Sequence, residues 1–365
     1  MSLDWEDLKL GNVLDVKYGK DHKNLINGSI PVYGSGGIMR YVNVSICNHE
    51  SILIPRKGTL NNIFYKNEPF WTVDTMFWSI IDRTKAFPKF LYYKLKTIDF
   101  NLMNVGSAVP SLTVPIIQDI DITLPSLPEQ ESIAEVLSSL DDKIDLLQQL
   151  NKTLEALAET LFRQWFLDET IENHSSSFLL SQEIQSVSET HKFKKGEAVF
   201  LNTSDIYLGD ILTDVYTDKS KLPGQAKKSI KKGDILFSEI RPSNGRWAYV
   251  DFDSTDYVVS TKLMVLRSNG KIKPPFLYFF LTQKSTIDYL QMMAESRSGT
   301  FPQITFEQLK PLKIYVPSNK KLKYAEDFCE DSLAKILFNK RQIKQLETLR
   351  DTLLPKLMNG TLRVN

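Results

Sequence analysis

The chain has 365 residues, of which 42% are hydrophobic and 24% charged, with a formal net charge of +1. That size points to two or three domains of ordinary soluble globular balance, and the overall charge does not announce a polyanion binder. No apolar run approaches the ~18 residues of a membrane span, and the stretch Met1–Gly11 lacks the basic-then-apolar pattern of a secretory signal. Two cysteines, Cys47 and Cys329, offer neither a disulfide framework nor metal-ligand spacing, so a reducing cytoplasm is the expectation.

Residues 1–128 read as a first α/β domain of many short strands. Leu10-Gly11-Asn12-Val13-Leu14 opens it. Ile30–Ile38 is a strand broken by the glycine-rich turn Gly34-Ser35-Gly36-Gly37. Ser51–Pro55 is a short buried strand, followed by the polar loop Arg56–Asn62. Phe70–Ile81 is aromatic and β-branched, another strand candidate, and Phe87–Leu95 reads as a helix opened by Pro88.

Residues 129–168 form one long helix. Pro125 and Pro128 end an extended segment, and Glu129 and Glu131 load the first turn with carboxylates. Ile133, Leu137, Leu140, Ile144, Leu147, Asn151, Leu154, Ala158, Leu161 and Trp165 then alternate steps of four and three. That is a heptad seam wanting a partner helix, with Asn151 placed to fix its register. A helix of ~38 residues is about 57 Å long and suits a strut.

Residues 169–195, rich in Ser, Glu and Gln, read as a linker with at most one short helix. A second domain, 196–318, then repeats the first. Leu208–Leu212 echoes Leu10–Leu14, Asp234–Phe237 echoes Ser51–Ile54, and Val259-Ser260-Thr261 echoes Val73-Asp74-Thr75. Phe276–Phe279 echoes Phe90–Tyr93, Gly299–Thr305 echoes Ser107–Thr113, and Val316-Pro317-Ser318 echoes Leu124-Pro125-Ser126. Six echoes in one order, at an offset near ~190, indicate an internal duplication.

A second long helix occupies 319–360. Its stripe is Ile336, Ile343, Leu346, Leu353 and Leu357, with Asn339 and Arg350 on or near the seam and Asn359-Gly360 as the stop. Ten carboxylates and three cations give residues 129–169 about −7, whereas nine cations and six carboxylates give residues 319–358 about +3. Opposite charge favours pairing these helices with each other. The expected fold is α+β: two tandemly duplicated α/β domains separated by two long antiparallel coiled-coil helices, with pseudo-twofold symmetry.

Catalytic signatures are missing. No phosphate-binding loop is present, and Gly34–Gly37 does not open a helix. Lys273-Pro274-Pro275-Phe276 resembles an amino-methyltransferase tetrapeptide, but a lysine cannot accept the hydrogen bond that the exocyclic amine must give, so the segment reads as a helix start. Asp251, Asp253 and Asp256 lack the glycine and glutamate of a calcium loop. Four histidines and scattered serines define no triad. A binding protein is favoured over an enzyme.

Loops suited to nucleic acid are present in both domains. The first offers Arg40, Arg56, Lys57, Thr59, Asn61 and Asn62; the second offers Lys219, Lys221, Arg241, Ser243, Asn244, Arg246 and Trp247. Arginine reads guanine edges, asparagine reads adenine edges, and both also hold phosphates. Residues 192–246 carry eleven cations against seven carboxylates, about +4, including Lys192, Lys194, Lys195, Lys227, Lys228, Lys231 and Lys232. The plain alternative for each is a solvated loop side chain.

These pieces together resemble the DNA-specificity subunit of type I restriction–modification systems. The resemblance rests on Ile30–Gly37, Ile52–Thr59, Val73–Phe77, Leu124–Gln130 with the helix after it, and Leu353–Gly360. It implies two target-recognition domains, each reading one half of a split site in double-stranded DNA. It also implies helices that set the spacer and dock two modification subunits, with restriction subunits joining them. S-adenosylmethionine, ATP and magnesium would sit in those partners, none in this chain. The second copy departs by having Val316-Pro317-Ser318-Asn319-Lys320-Lys321 where the first has its Leu-Pro-Glu-Gln helix start. A stand-alone DNA-binding protein and a coiled-coil scaffold remain as alternatives.

Overall fold

In the computed structural model, residues 5–106, 109–166, 176–316 and 318–364 are described. They divide into two compact units, Met1–Leu146 with Gln342–Asn365, and Leu147–Arg341. Each unit therefore owns the start of one long helix and the end of the other.

The first unit runs β1 (Glu6–Lys9), β2 (Leu14–Tyr18), β3 (Asn27–Gly34), β4 (Gly37–Val42), β5 (Ser51–Pro55), β6 (Phe64–Lys66), β7 (Trp71–Thr72), β8 (Met76–Ile81), α1 (Pro88–Lys96), α2 (Val114–Gln118), β9 (Asp121–Leu124) and the start of α3 (Leu127–Phe166). A four-stranded sheet has the order β2-β8-β5-β6, a three-stranded sheet the order β4-β3-β7, and β1 pairs with β9. Strand β5 is buried along its whole length, as its apolar run demands. Phe77, Phe90, Leu91 and Leu95 pack with Ile133, Ala134 and Leu137 of α3 in one core.

The second unit runs β10 (Ser176–Leu179), β11 (Ile184–Val187), β12 (Glu197–Leu201), β13 (Ile206–Tyr207), β14 (Asp210–Ile211), β15 (Tyr216–Asp218), β16 (Ala226–Ser229), β17 (Ile235–Ser238), β18 (Trp247–Tyr249), β19 (Tyr257–Ser260), β20 (Leu263–Ser268), α4 (Pro274–Thr282), α5 (Lys284–Arg297), α6 (Phe306–Leu309), β21 (Lys313–Val316) and the start of α7 (Asn319–Met358). Its sheet β11-β20-β17-β18 repeats the order β2-β8-β5-β6, and β10-β21 repeats β1-β9. The registers agree: Ile54 faces Phe77 as Phe237 faces Met264, and Leu14 faces Ile81 as Ile184 faces Ser268.

Three expectations need correction. The stretch 169–195 is not a linker throughout, because β10, a turn at Leu180–Gln182 and β11 all lie within it. Leu180 and Ile184 are buried, and this segment closes the second domain as β1 and β2 close the first; residues 167–175 fall outside the described residues. Second, the partner of Leu10 is Leu180, not Leu208, since Leu208–Gly209 is the tip of the β13–β14 hairpin, which has no counterpart among the described residues of the first unit. Third, the echo of Val73-Asp74-Thr75 is one residue further on, at Ser260-Thr261-Lys262. There Lys262 O accepts from Glu239 N at 3.0 Å just as Thr75 O accepts from Arg56 N at 2.8 Å.

Both long helices have 40 residues, about 60 Å at 1.5 Å per residue. Helix α3 begins at Leu127 rather than 129, which places Pro128 in the first turn, where a missing N–H does no harm. Helix α7 begins at the equivalent point, 192 residues on, despite its different sequence. Buried Gln130 explains the Leu-Pro-Glu-Gln start. It accepts from Phe87 N at 2.8 Å and donates to Lys85 O and Pro125 O, so it caps α1 and anchors α3 at once. In the second unit Glu326, one helical turn further along, accepts from Lys273 N at 2.7 Å and does the capping.

The helices run antiparallel in each unit. Ile133 and Leu137 share a core with Leu357 and Met358, and Asp141 then meets Arg350. In the second unit Asn339 donates to Asn151 at 2.8 Å, and Phe162 further along α3 clusters with Ala325 and Cys329 earlier on α7. The seam residues Ile133, Leu137, Ile144, Leu147, Asn151, Ile336 and Leu357 are buried; Leu140, Leu154, Leu161, Ile343, Leu346 and Leu353 are half-buried. Beyond Ala158 the contact moves from Leu161 to Phe162, the drift expected when a 3.6-residue helix follows a 3.5-residue repeat. The side chain of Trp165 lies outside the described residues.

Candidate nucleic-acid interface

Three loops of the first unit converge. They are the β3–β4 tip at Ser35–Gly36, the Arg56–Asn62 loop after β5, and the segment ending at Ser111. Asn62 Nδ2 donates to Ser35 O at 2.7 Å, Gly58 N to Pro110 O at 3.0 Å, and Leu112 N to Arg56 O at 2.9 Å. Gly58 has φ +94°, a backbone conformation that favours glycine, and a Cβ there would lie 2.9 Å from Ser35 Oγ, which would have to turn aside.

On this frame Lys57 and Thr59 are exposed. The Arg56 guanidinium lies over Tyr18, 5.4 Å from the ring centroid, and donates to Asp74 O at 3.2 Å. Arg40 on β4 donates to Leu25 O and Asn27 Oδ1. Asn61 and Asn62 are structural instead: Asn61 donates to Asp99, which holds that carboxyl below its usual range, and accepts from Phe100 N. Their amides are consumed in shaping the loop.

The second unit builds the corresponding loop on the same hydrogen bonds. Arg241 N donates to Pro302 O at 3.1 Å and Ile304 N to Glu239 O at 2.8 Å, while Ile240 bridges Gln303 as Lys57 bridges Ser111. Arg241 therefore stands at the position of Gly58. Ser243 N and Oγ both donate to Gln291 Oε1 on α5, and Asn244 is exposed. Arg246 donates to Ser204 O and Ile206 O and lies over Tyr207. Trp247 is not a surface contact: it is buried and stacks on Phe237 at 6.0 Å.

Lys219 lies over the Phe193 ring, and Lys221 is exposed. Both follow β15, in the sheet β15-β12-β19-β16, whereas the Arg241 loop follows β17 in the other sheet. The basic segment is partly spent internally. Lys195 pairs with Asp256, Lys231 with Glu189, and Lys228 donates to Thr261 O and Leu263 O, where burial pulls its pKa down. Arg40, Arg56, Arg241 and Arg246 have no carboxylate partner among the described residues, whereas Arg83, Arg267, Arg341 and Arg350 do. The charge of these four candidates is therefore not balanced by an ion pair among the described residues.

The segments set aside from catalysis have internal roles. Lys273 precedes α4 and pairs with Asp327 and Glu330, Asp251 pairs with Arg341, and Asp253 caps Thr255. The sequence reading missed Tyr18, Gln291 and the exposed Phe301, which shape or flank the loops. For Gln291 a signal existed, since Ile287, Leu290 and Ala294 mark α5 by helical spacing.

The family model described as the type I restriction modification DNA specificity domain matches residues 2–156 and 183–348. Among curated relatives, the HindI specificity subunit of Haemophilus influenzae is 45% identical over 156 residues, 42% of this chain and 34% of that one. The chain therefore spans about a third of that relative. The MjaIX specificity subunit of Methanocaldococcus jannaschii is 27% identical over 354 residues, covering 86% of this chain and 78% of that one. The crystal structure of a type I restriction–modification S subunit from M. genitalium superposes with a TM-score of 0.71 at 18% identity, covering 98% and 96% of the two chains.

Proposed function

Because the chain belongs to the type I restriction–modification DNA specificity family, we propose that it is the non-catalytic specificity subunit of such a complex. Each unit reads one half of a bipartite site in double-stranded DNA. The observation that carries this reading is the duplicated loop. One hydrogen-bonded frame presents Arg56-Lys57-Gly58-Thr59 in one unit and Glu239-Ile240-Arg241-Pro242 in the other. A constant frame with different side chains is what two readers of different half-sites need.

The partners are two modification subunits, with restriction subunits joining them, and S-adenosylmethionine, ATP and magnesium belong to those subunits. Support for two equivalent partners comes from exposed apolar residues on the helices. Leu146 and Leu349 in the first unit correspond, 192 residues apart in each case, to Phe338 and Leu157 in the second. All four are at least 42% exposed, so each unit offers the same pair of positions to a partner. No helix among the described residues is long and apolar enough to cross a membrane; the cytoplasm, where the DNA is, is the location that this reading implies.

The test is co-expression with the modification subunit encoded beside this chain, followed by mapping of methylated adenines. A stable complex and a split methylated site are expected. Absence of both would overturn the proposal.

A further inference from the structure

Arg241 has φ +42° and ψ +82°, in the left-handed region that glycine tolerates and an L side chain resists. Pro242 follows it, and a residue before proline is confined further. The equivalent residue of the first unit is Gly58, at φ +94°, held by the same hydrogen bond to the segment alongside. The frame is thus suited to glycine at this point and carries arginine in one copy only.

The backbone at Arg241 is anchored on both sides. Its N–H is bonded to Pro302 O, its carbonyl accepts from Asn244 N at 2.8 Å, Pro242 is buried, and Ser243 is tied twice to Gln291. The side chain is exposed and gives one hydrogen bond, to Thr300 O at 3.3 Å. Most of its five N–H donors remain for a ligand. Phe301 beside it is 71% exposed.

We infer that Arg241 is a specificity-determining residue that reads a base edge, guanine by its fork of donors, in the half-site of the second unit. A phosphate contact requires only charge, which a lysine at an unstrained position nearby would supply. Base reading requires direction, and the strained, multiply anchored backbone supplies it. The first unit has no side chain at this point, so the effect is confined to one half-site. This inference rests on the specificity reading above.

The test uses the intact complex with the modification subunit and a library of randomised sites. The unaltered complex is mapped first; if it methylates no split site, the specificity reading fails and not this inference. Arg241→Gly suits the frame and folds at least as well, which thermal unfolding checks. It is expected to lose tenfold or more of its discrimination at one base pair of one half-site, with the other half-site unchanged. Arg241→Lys keeps the charge and does not restore the discrimination, since an ammonium lacks the fork. A uniform loss of methylation across sequences, rescue by lysine, or unchanged specificity would each overturn the inference.

Discussion

In the first unit Tyr93 donates its hydroxyl to Asp141 at 2.6 Å, and Arg350 donates to the same carboxylate at 2.8 Å. At the corresponding places the second unit has Phe279, Leu333 and Ala158, all buried, and the Phe162 ring packs 4.9 Å from Phe276. The exchange also runs the other way. The bonded amides Asn151 and Asn339 of the second unit correspond to Ile343 and Leu147. One backbone frame accepts a polar or an apolar layer at each joint, although the amide layer leaves the buried Asn339 Oδ1 without a hydrogen-bond partner among the described residues. Burial, with Asp141 beside it, pushes the Tyr93 phenol well above its usual range, so it stays a donor. Within its own unit each polar pair favours one register of the two helices.

The largest test removes one member of the charged joint. Arg350→Ala leaves Asp141, only 26% exposed, without its cation, and should cost about 2–4 kcal/mol in urea unfolding. Importing the other unit's solution, Tyr93→Phe with Asp141→Leu and Arg350→Ala, should recover all but about 1 kcal/mol. A single variant as stable as the parent would mean that the network holds nothing together.

The paired apolar surfaces come next. Leu146→Glu with Leu349→Glu should remove one modification subunit, and Leu157→Glu with Phe338→Glu the other. Each is expected to weaken binding on the order of a hundredfold at its own patch. Native mass spectrometry would read one partner in place of two; loss of both from either pair would contradict equivalent patches. Smaller still is the amide layer. Asn339→Leu alone leaves Asn151 Oδ1 without its donor and should cost about 1–2 kcal/mol, whereas Asn151→Ile with Asn339→Leu should be neutral within about 1 kcal/mol.

These contrasts show what the sequence could tell. The seam was legible because apolar spacing on a long helix reports burial directly, and Asn151, Asn339 and Arg350 stood out as polar residues on it. Which polar residue meets which could not be read, since that depends on antiparallel register. The duplication was legible in β5, α1 and the segment before α2, where buried apolar residues constrain both copies. It was misread at Leu10, because two short strands at Ser176–Val187 look polar and a hairpin tip happens to spell a similar pentapeptide. The loop residues split similarly. Lys57, Thr59 and Arg241 are exposed, but Asn61, Asn62 and Trp247 serve the fold, and residue type alone does not distinguish these placements.

The corrected alignment places Val13 of the first unit at Glu183 of the second. Both follow the turn between the first two strands, and both are buried, at 1% and 6% exposure. Glu183 Oε2 has no hydrogen-bond partner among the described residues, and burial raises the pKa of its carboxyl, partly offset by Lys271. A carboxyl with a folded pKa above its unfolded value binds its proton more tightly when folded. Its charge therefore opposes folding at neutral pH, and that penalty fades as pH falls through the raised value toward the ordinary carboxylate range. Glu183→Val, borrowed from the first unit, should stabilise the protein by somewhat under about 1 kcal/mol at pH 7. Part of that gain should disappear by about pH 4.5. Urea unfolding of both proteins at the two pH values measures it; an equal gain at both would place the benefit in packing and not in the buried charge.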